Sequence, residues 1–162
     1  MKGPNTENLT NKIMLEFSKT IEMFGLTTLE ARLFAYLYLS KQPLTLDDMS
    51  EALGKSKTSM STSIRSLSEL NLVTRVWKKG IRKDLHQANT QLFKTFMNAY
   101  INKWIEAAIR QKTSLEDINN LMEQKKSSGE SDEELINMEQ RLKDMIEFHK
   151  HVEALFREMK QD

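Results

Sequence analysis

The stretch "LTLDDMSEALGKSKTSMSTSIRSLSELNLV", residues 44–73, decides the fold. Thr45 is placed to cap a short helix that carries Leu46, Met49, Ala52 and Leu53. Gly54 then turns the chain, and Ser56 is placed to cap a second helix with apolar residues at three- and four-residue spacing: Met60, Ile64, Leu67 and Leu70. Two short helices joined by a glycine turn predict a helix-turn-helix.

The residues that follow predict a β-hairpin. "LVTRVW", residues 72–77, alternates as a strand does, and "KKGI", residues 78–81, is a turn that contains glycine. "RKDLHQA", residues 82–88, can return as the paired strand. A helix-turn-helix followed by such a hairpin is a winged helix, with the hairpin as its wing.

Two helices precede this unit. Ile13, Phe17, Ile21 and Phe24 recur at helical spacing until Gly25 stops the run. "TTLEARLFAYLYLS" follows, with Thr28 as a candidate N-cap and an apolar run over residues 29–39, which predicts a nearly fully buried helix.

The C-terminal half predicts long helices that need a partner. Apolar pairs recur every four residues from Thr90, "KKSSGESDEE" makes a polar break with an acidic helix start, and the last helix shows a heptad seam that includes His149. A monomer could cover this seam by folding the last helix back on the preceding one, but both helices extend beyond what the small winged unit can cover. We therefore expect a homodimer formed by the N- and C-terminal helices. The predicted regions are 1–27 (N-terminal helix), 28–89 (winged helix-turn-helix) and 90–162 (C-terminal helices). The predicted dimerisation residues are Ile13, Phe17, Leu135, Met138, Leu142, Met145, Val152 and Phe156.

Composition supports a mainly α protein. Five glycines and two prolines in 162 residues are too few for many short strands. The chain has no cysteine, which suits a reducing compartment, and neither a signal peptide nor a membrane span is expected, so we expect a cytoplasmic protein. The three histidines lack metal-site spacing and there is no glycine-rich phosphate loop, so we expect no enzyme activity, cofactor or metal.

Positive charge is concentrated in the predicted winged unit. Residues 55–83 hold eight basic residues and one acid, Glu69, so they carry +7, whereas the remainder carries about −6 and the whole chain +1. A basic recognition helix and wing gain free energy on duplex DNA by releasing phosphate counterions. We therefore expect double-stranded DNA as the partner.

The second helix is unusually rich in serine and threonine, which are poor helix formers. Such small side chains admit the helix to a major groove, where their hydroxyls can bond phosphates or bases. The alternative is that Ser59, Ser61, Thr62, Ser63 and Ser66 only form a solvated face. The predicted DNA-binding residues are Lys55, Ser56, Lys57, Thr58, Ser59, Ser61, Thr62, Arg65, Lys78, Lys79, Arg82 and Lys83.

The order of helices, "LDDMSEALGKSKTSMSTSIRSL" and "NLVTRVWKKGIRKDLHQA" resembles the GbsR-type regulators of the MarR superfamily, with "RVWKKGIRKD" the most specific match. The resemblance covers about residues 9–88 and implies a dimeric bacterial repressor of osmoprotectant uptake or synthesis genes. It places Lys57, Ser59, Ser61 and Arg65 toward DNA, and Lys78, Lys79, Arg82 and Lys83 in the wing. His86 stands where an aromatic ring is commoner in the family.

The resemblance also implies a small-molecule effector, a quaternary ammonium compound such as choline or glycine betaine. Such cations bind to aromatic faces, and the candidate residues are Tyr36, Tyr38, Trp77, Tyr100 and Trp104, with Phe34 beside Tyr38. These rings can equally be ordinary core. The rival function is an adaptor whose winged helix binds protein and whose long helices form a coiled-coil scaffold, for which an apolar wing would be expected.

Overall fold

The computed structural model describes residues 3–129 and 132–160 and confirms the predicted mainly α winged-helix fold. The first two residues of the predicted acidic helix start "ESDEE", residues 130–134, lie outside the described residues, as do the ends of the predicted terminal regions. The chain divides into two compact units, Met1–Phe96 and Met97–Asp162. Its elements are α1 (Pro4–Glu22), α2 (Thr28–Leu39), α3 (Leu46–Leu53), α4 (Lys57–Glu69), β1 (Val73–Val76), β2 (Leu85–Ala88), α5 (Leu92–Ser127) and α6 (Glu133–Met159).

Helix α2 forms the centre of the first unit. Leu33, Phe34 and Ala35 are fully buried, and the Phe34 ring meets the Phe96 ring edge-on with centroids 5.0 Å apart. The N-cap is Thr27 rather than the predicted Thr28. Thr27 and Glu30 form a reciprocal capping box that satisfies two backbone N–H groups at the helix start.

The helix-turn-helix is built by the local residues that predicted it. Thr45 caps α3 by accepting a hydrogen bond from the backbone N–H of Asp48, and Ser56 caps α4 in the same way. Gly54 has φ 65°, in the left-handed region that glycine adopts without a Cβ clash. All three sequence predictions are confirmed.

In the second unit, α5 and α6 form an antiparallel pair. None of the described helices is long and apolar enough to cross a membrane. Leu142 and Ile146 are buried in a cluster with Met122, and Leu115 and Leu135 pack against it. Two ion pairs flank this cluster, Lys126 with Glu139 and Lys112 with Glu153. The two lysines are fourteen residues apart along α5, and the two glutamates are fourteen residues apart along α6. Fourteen residues correspond to two heptads.

The residues of the predicted α6 seam lie on two sides of the helix. Leu135, Leu142 and Phe156 do face α5, but Met138 and Met145 are 53% and 52% exposed, and Val152 is half-buried. Glu139, Ile146 and Glu153 also face α5. The two glutamates are accommodated there because lysines pair with them.

The wing hairpin is shorter than predicted. Strands β1 and β2 pair antiparallel from Val73 opposite Ala88 to Val76 opposite Leu85, so residues 77–84 form a loop. The predicted return strand began at Arg82, but residues 82–84 are all charged and offer no apolar face to bury. The basic residues of the wing therefore lie in an exposed loop.

His86 joins the wing to the segment between α2 and α3. Its backbone N–H and C=O exchange two hydrogen bonds of 2.8 Å with those of Leu44. The side chain is 8% exposed, and its Nδ1 has no hydrogen-bond partner among the described residues. The pKa of His86 is lowered from its usual value, mainly because the side chain is buried. Nearby Asp84 raises this pKa and Arg75 lowers it, and both effects are smaller than that of burial.

We expect His86→Phe to remove a pH dependence of stability. The lowered pKa means that the folded protein favours neutral His86, so the unfolded chain binds more protons once the pH falls below about 6.5. The free energy of unfolding of the wild type should therefore fall between about pH 6.5 and the folded-state pKa of His86.

Urea denaturation at pH 7.5 and at pH 5 measures this difference. The control is His151→Gln, which replaces an exposed histidine and should keep the wild-type pH dependence. An unchanged pH dependence in His86→Phe would contradict the assignment.

Candidate nucleic-acid interface

The rotation of α4 about its axis decides which of its side chains reach solvent. Met60, Ile64 and Leu67 are buried in the core of the first unit. The opposite side of the helix carries Thr58, Thr62 and Arg65, at four- and three-residue spacing, and all three are exposed. Small hydroxyl side chains and one long cation thus form the outward face of α4.

The remaining polar residues of α4 have varied positions. Ser63 is 6% exposed and contributes to neither a solvated face nor a contact surface. Ser56 is exposed, but its Oγ accepts a hydrogen bond from the Ser59 backbone N–H at 3.1 Å and donates to the Ser59 Oγ at 2.9 Å. Lys55 is exposed before the helix, Ser59, Ser61 and Ser66 are half-buried, and the Thr62 hydroxyl donates to the Thr58 carbonyl.

The loop of the wing carries the second group of cations. Lys78, Lys79, Arg82 and Lys83 are all exposed in it. Gly80 has φ 84°, in the left-handed region, and lets the loop turn between the two pairs. Trp77, at the start of the loop, is 81% exposed, and Ile81 is 39% exposed. The wing is thus mainly basic, with two apolar side chains.

The sequence analysis missed two acids at this surface, Asp47 and Asp84. The charge was counted over residues 55–83, and Asp47 lies before that range and Asp84 after it. Asp84 pairs with Arg75 at the base of the wing. Asp47, on α3, contacts the Lys83 ammonium at 2.7 Å and the Lys57 ammonium at 3.4 Å. Hydrogen bonding to Lys83 and then to Lys57 lowers the pKa of Asp47, while Asp47 raises the pKa of Lys83. The surface is therefore less positive than residues 55–83 alone.

The candidate effector residues lie in different parts of the structure. Tyr36 and Tyr38 are half-buried on α2 and pack against the core of the first unit, where the Tyr38 ring lies 6.1 Å from that of Phe34. Trp77 is in the exposed wing. Tyr100 and Trp104 belong to the second unit and contact each other, with ring centroids 6.2 Å apart. Tyr36 and Tyr38 therefore pack against the core, which was the alternative to a role in effector binding.

The described residues also have a sequence match to a known family. Residues 24–76 match the model of the MarR family. The chain is therefore similar to MarR-family proteins over these residues. The matched residues run from just after α1 to the end of β1 and include the whole helix-turn-helix.

Two proteins of Bacillus subtilis (strain 168) are similar to this chain over most of its length. The HTH-type transcriptional repressor GbsR is 29% identical over 144 residues, which is 89% of this chain and 79% of the relative. The HTH-type transcriptional repressor OpcR is 24% identical over 147 residues, or 88% of this chain and 80% of the relative. A crystal structure of a transcriptional regulator, 18% identical, covers 93% of this chain and 94% of its own with a TM-score of 0.60, which shows the shared fold.

Proposed function

We propose that this protein is a DNA-binding transcriptional repressor that contacts duplex DNA with α4 and the wing. The observation that carries the proposal is the exposed surface formed by the outward face of α4 and the basic wing loop of a winged helix. The two relatives named as repressors align with this chain over most of their length, which supports the same role.

The two parts of the surface suit different tasks. Thr58, Thr62 and Arg65 lie on a helix face with no bulky side chain except the arginine. The helix can therefore enter a major groove and present hydroxyl oxygens and a guanidinium group to base edges. The ammonium groups of the wing lysines are compact charges without a preferred hydrogen-bonding plane, so they suit contacts with phosphates. Phosphate contacts add affinity without sequence information. Arg65 is therefore the residue on which we expect sequence preference to depend most.

We expect Lys78→Ala combined with Lys79→Ala to weaken binding to every duplex. Both lysines are exposed and neither is in an ion pair with another described residue, so each is available to a phosphate. Loss of two phosphate contacts should reduce the slope of log K against log salt by about 1.8. Fluorescence anisotropy with a labelled duplex over a salt series measures both quantities.

The matched control removes two exposed lysines from the second unit, Lys125→Ala with Lys160→Ala, and should leave the slope unchanged. An equal slope in the wing variant and the wild type would contradict the wing assignment. A wild type that binds no duplex, but binds protein through Trp77 and Ile81, would favour the adaptor function instead.

We also propose that the protein acts as a homodimer, as the regulator role on two half-sites requires. The outward side of α6 is apolar: Met138, Met145, Phe148 and Leu155 are all more than half exposed, and Met159 is 46% exposed. Their spacing of seven, three, seven and four residues is that of a seam for another helix. On α1, Leu9 and Ile13 are also more than half exposed, whereas Phe17 is half-buried and packs against Tyr38 at the margin of the core.

We expect Leu155→Glu to convert the dimer to a monomer without unfolding it, because it places a charge on the exposed apolar side of α6. Light scattering gives the mass and circular dichroism the helix content. Ala154→Glu is the control, since residue 154 is exposed on another side of the helix and should remain dimeric. Leu142 is unsuitable for this test because it is buried against α5. A wild type that is monomeric at micromolar concentration would contradict the proposal.

We further propose that the target genes concern osmoprotectants and that the effector is a quaternary ammonium compound, as the resemblance to GbsR-type regulators implies. The candidate rings best suited to such a cation are in the second unit. Trp104 is 44% exposed and stacks on Phe156 with centroids 5.4 Å apart, and Tyr100 meets both rings edge-on. Together they form a partly open aromatic cluster that offers electron-rich faces to a cation.

Choline should therefore bind the wild type, and Trp104→Ala should weaken that binding by about tenfold, through loss of one cation–π face. Isothermal titration calorimetry measures the affinity. Trp77→Ala, which removes an exposed ring of the wing, is the control and should bind choline as the wild type does. No heat with choline or glycine betaine, or equal affinity for Trp104→Ala, would contradict the effector proposal.

A further inference from the structure

A single carboxylate connects the three parts of the candidate interface. Asp47 lies in the first turn of α3, and its two oxygens contact Lys57 at the start of α4 and Lys83 in the wing loop. The shorter contact, 2.7 Å, joins residues that are 36 positions apart in the chain. Both lysines are among the residues predicted to bind DNA. In the free protein, two of those cations are thus already paired with an acid.

The other acids near this surface have different tasks. Asp48 accepts a hydrogen bond from the backbone N–H of Thr45 in the capping box of α3, and Asp84 pairs with Arg75. Glu51 lies one turn after Asp47 on α3, is exposed, and forms no ion pair with another described residue. Among the described residues, Asp47 is therefore the acid that contacts cations of both α4 and the wing.

The Asp47 contacts are suited to exchange. All three side chains are accessible to solvent, with fractional exposures of 46% for Asp47, 61% for Lys57 and 66% for Lys83. Exposed ion pairs contribute little net stability and are screened by salt, so a competing anion can replace the carboxylate at small cost. A cleft of about 270 Å³ opens at the same place, lined by Asp47, the two lysines and Arg82 among others.

We propose that Asp47 restrains sequence-independent DNA binding by holding Lys57 and Lys83 until a backbone phosphate replaces its carboxylate. This inference rests on the proposed function. A loosely bound duplex has to compete with Asp47 for both lysines, and it gains no base contacts in return. A duplex that seats α4 in its groove compensates for the displacement with those contacts, so Asp47 increases the ratio of specific to non-specific affinity.

The first test compares two variants that each remove one negative charge from α3. Asp47→Asn should tighten binding to a 30-base-pair duplex of random sequence by about fivefold at 50 mM salt, and the gain should shrink as salt rises. Glu51→Gln should change the affinity by less than about twofold, because it frees no lysine. Both substitutions leave the Thr45 and Asp48 capping box intact, and unchanged melting temperatures establish that both variants fold.

The second test is a double-mutant cycle. Lys83→Ala should cost more affinity in the Asp47→Asn background than in the wild type, because only there is Lys83 fully available to phosphate. Lys79→Ala, which removes a wing lysine without an Asp47 contact, should cost the same in both backgrounds.

Equal costs of Lys83→Ala in the two backgrounds, or equal effects of Asp47→Asn and Glu51→Gln, would overturn the role of Asp47 while wild-type binding still supports the proposed function. A wild type that binds no duplex at any salt concentration would overturn both.

Discussion

Burial of one edge of α4 is the constraint on which the candidate interface depends. Met60, Ile64 and Leu67 pack into the core around α2, and this fixes the rotation of the helix. A helix with its apolar edge held in a close-packed core cannot turn without exposing that edge to water. Thr58, Thr62 and Arg65 are therefore presented outward as a consequence of packing on the opposite side. The Ser56 cap and the Gly54 turn set where the helix begins.

The wing is positioned by backbone contacts and its charges are moderated by acids. The paired backbone hydrogen bonds between Leu44 and His86 attach the hairpin to the segment that precedes α3. Asp47, two residues beyond the Thr45 cap of that same helix, then contacts the wing through Lys83. The α3 start thus contributes both to the local helix-turn-helix and to the electrostatics of the wing. A surface with cations that are partly paired is less attractive to any polyanion than the bare sequence suggests.

Local signals predicted much of this structure, and non-local contacts account for what they did not predict. The caps at Thr45 and Ser56 and the Gly54 turn act within four residues, so the helix-turn-helix was readable from the sequence. The contact of Asp47 with Lys83 joins positions far apart in the chain, and no local pattern contains it. The α6 side that faces α5 could not be read locally for a related reason: it includes the charged Glu139, whose partner Lys126 comes from α5. Residue type alone does not reveal a compensated charge.

Lysine reactivity in the presence and absence of DNA tests the central claim most directly, that α4 and the wing form the DNA-contacting surface. Limited acetylation followed by mass spectrometry reports each lysine separately in the unmodified sequence. The account predicts that duplex DNA slows acetylation of Lys57, Lys78 and Lys79, while Lys103 and Lys125, both exposed on α5, react at the same rate with and without DNA. Protection confined to the α5 lysines, with the wing lysines as reactive as in the free protein, would contradict it.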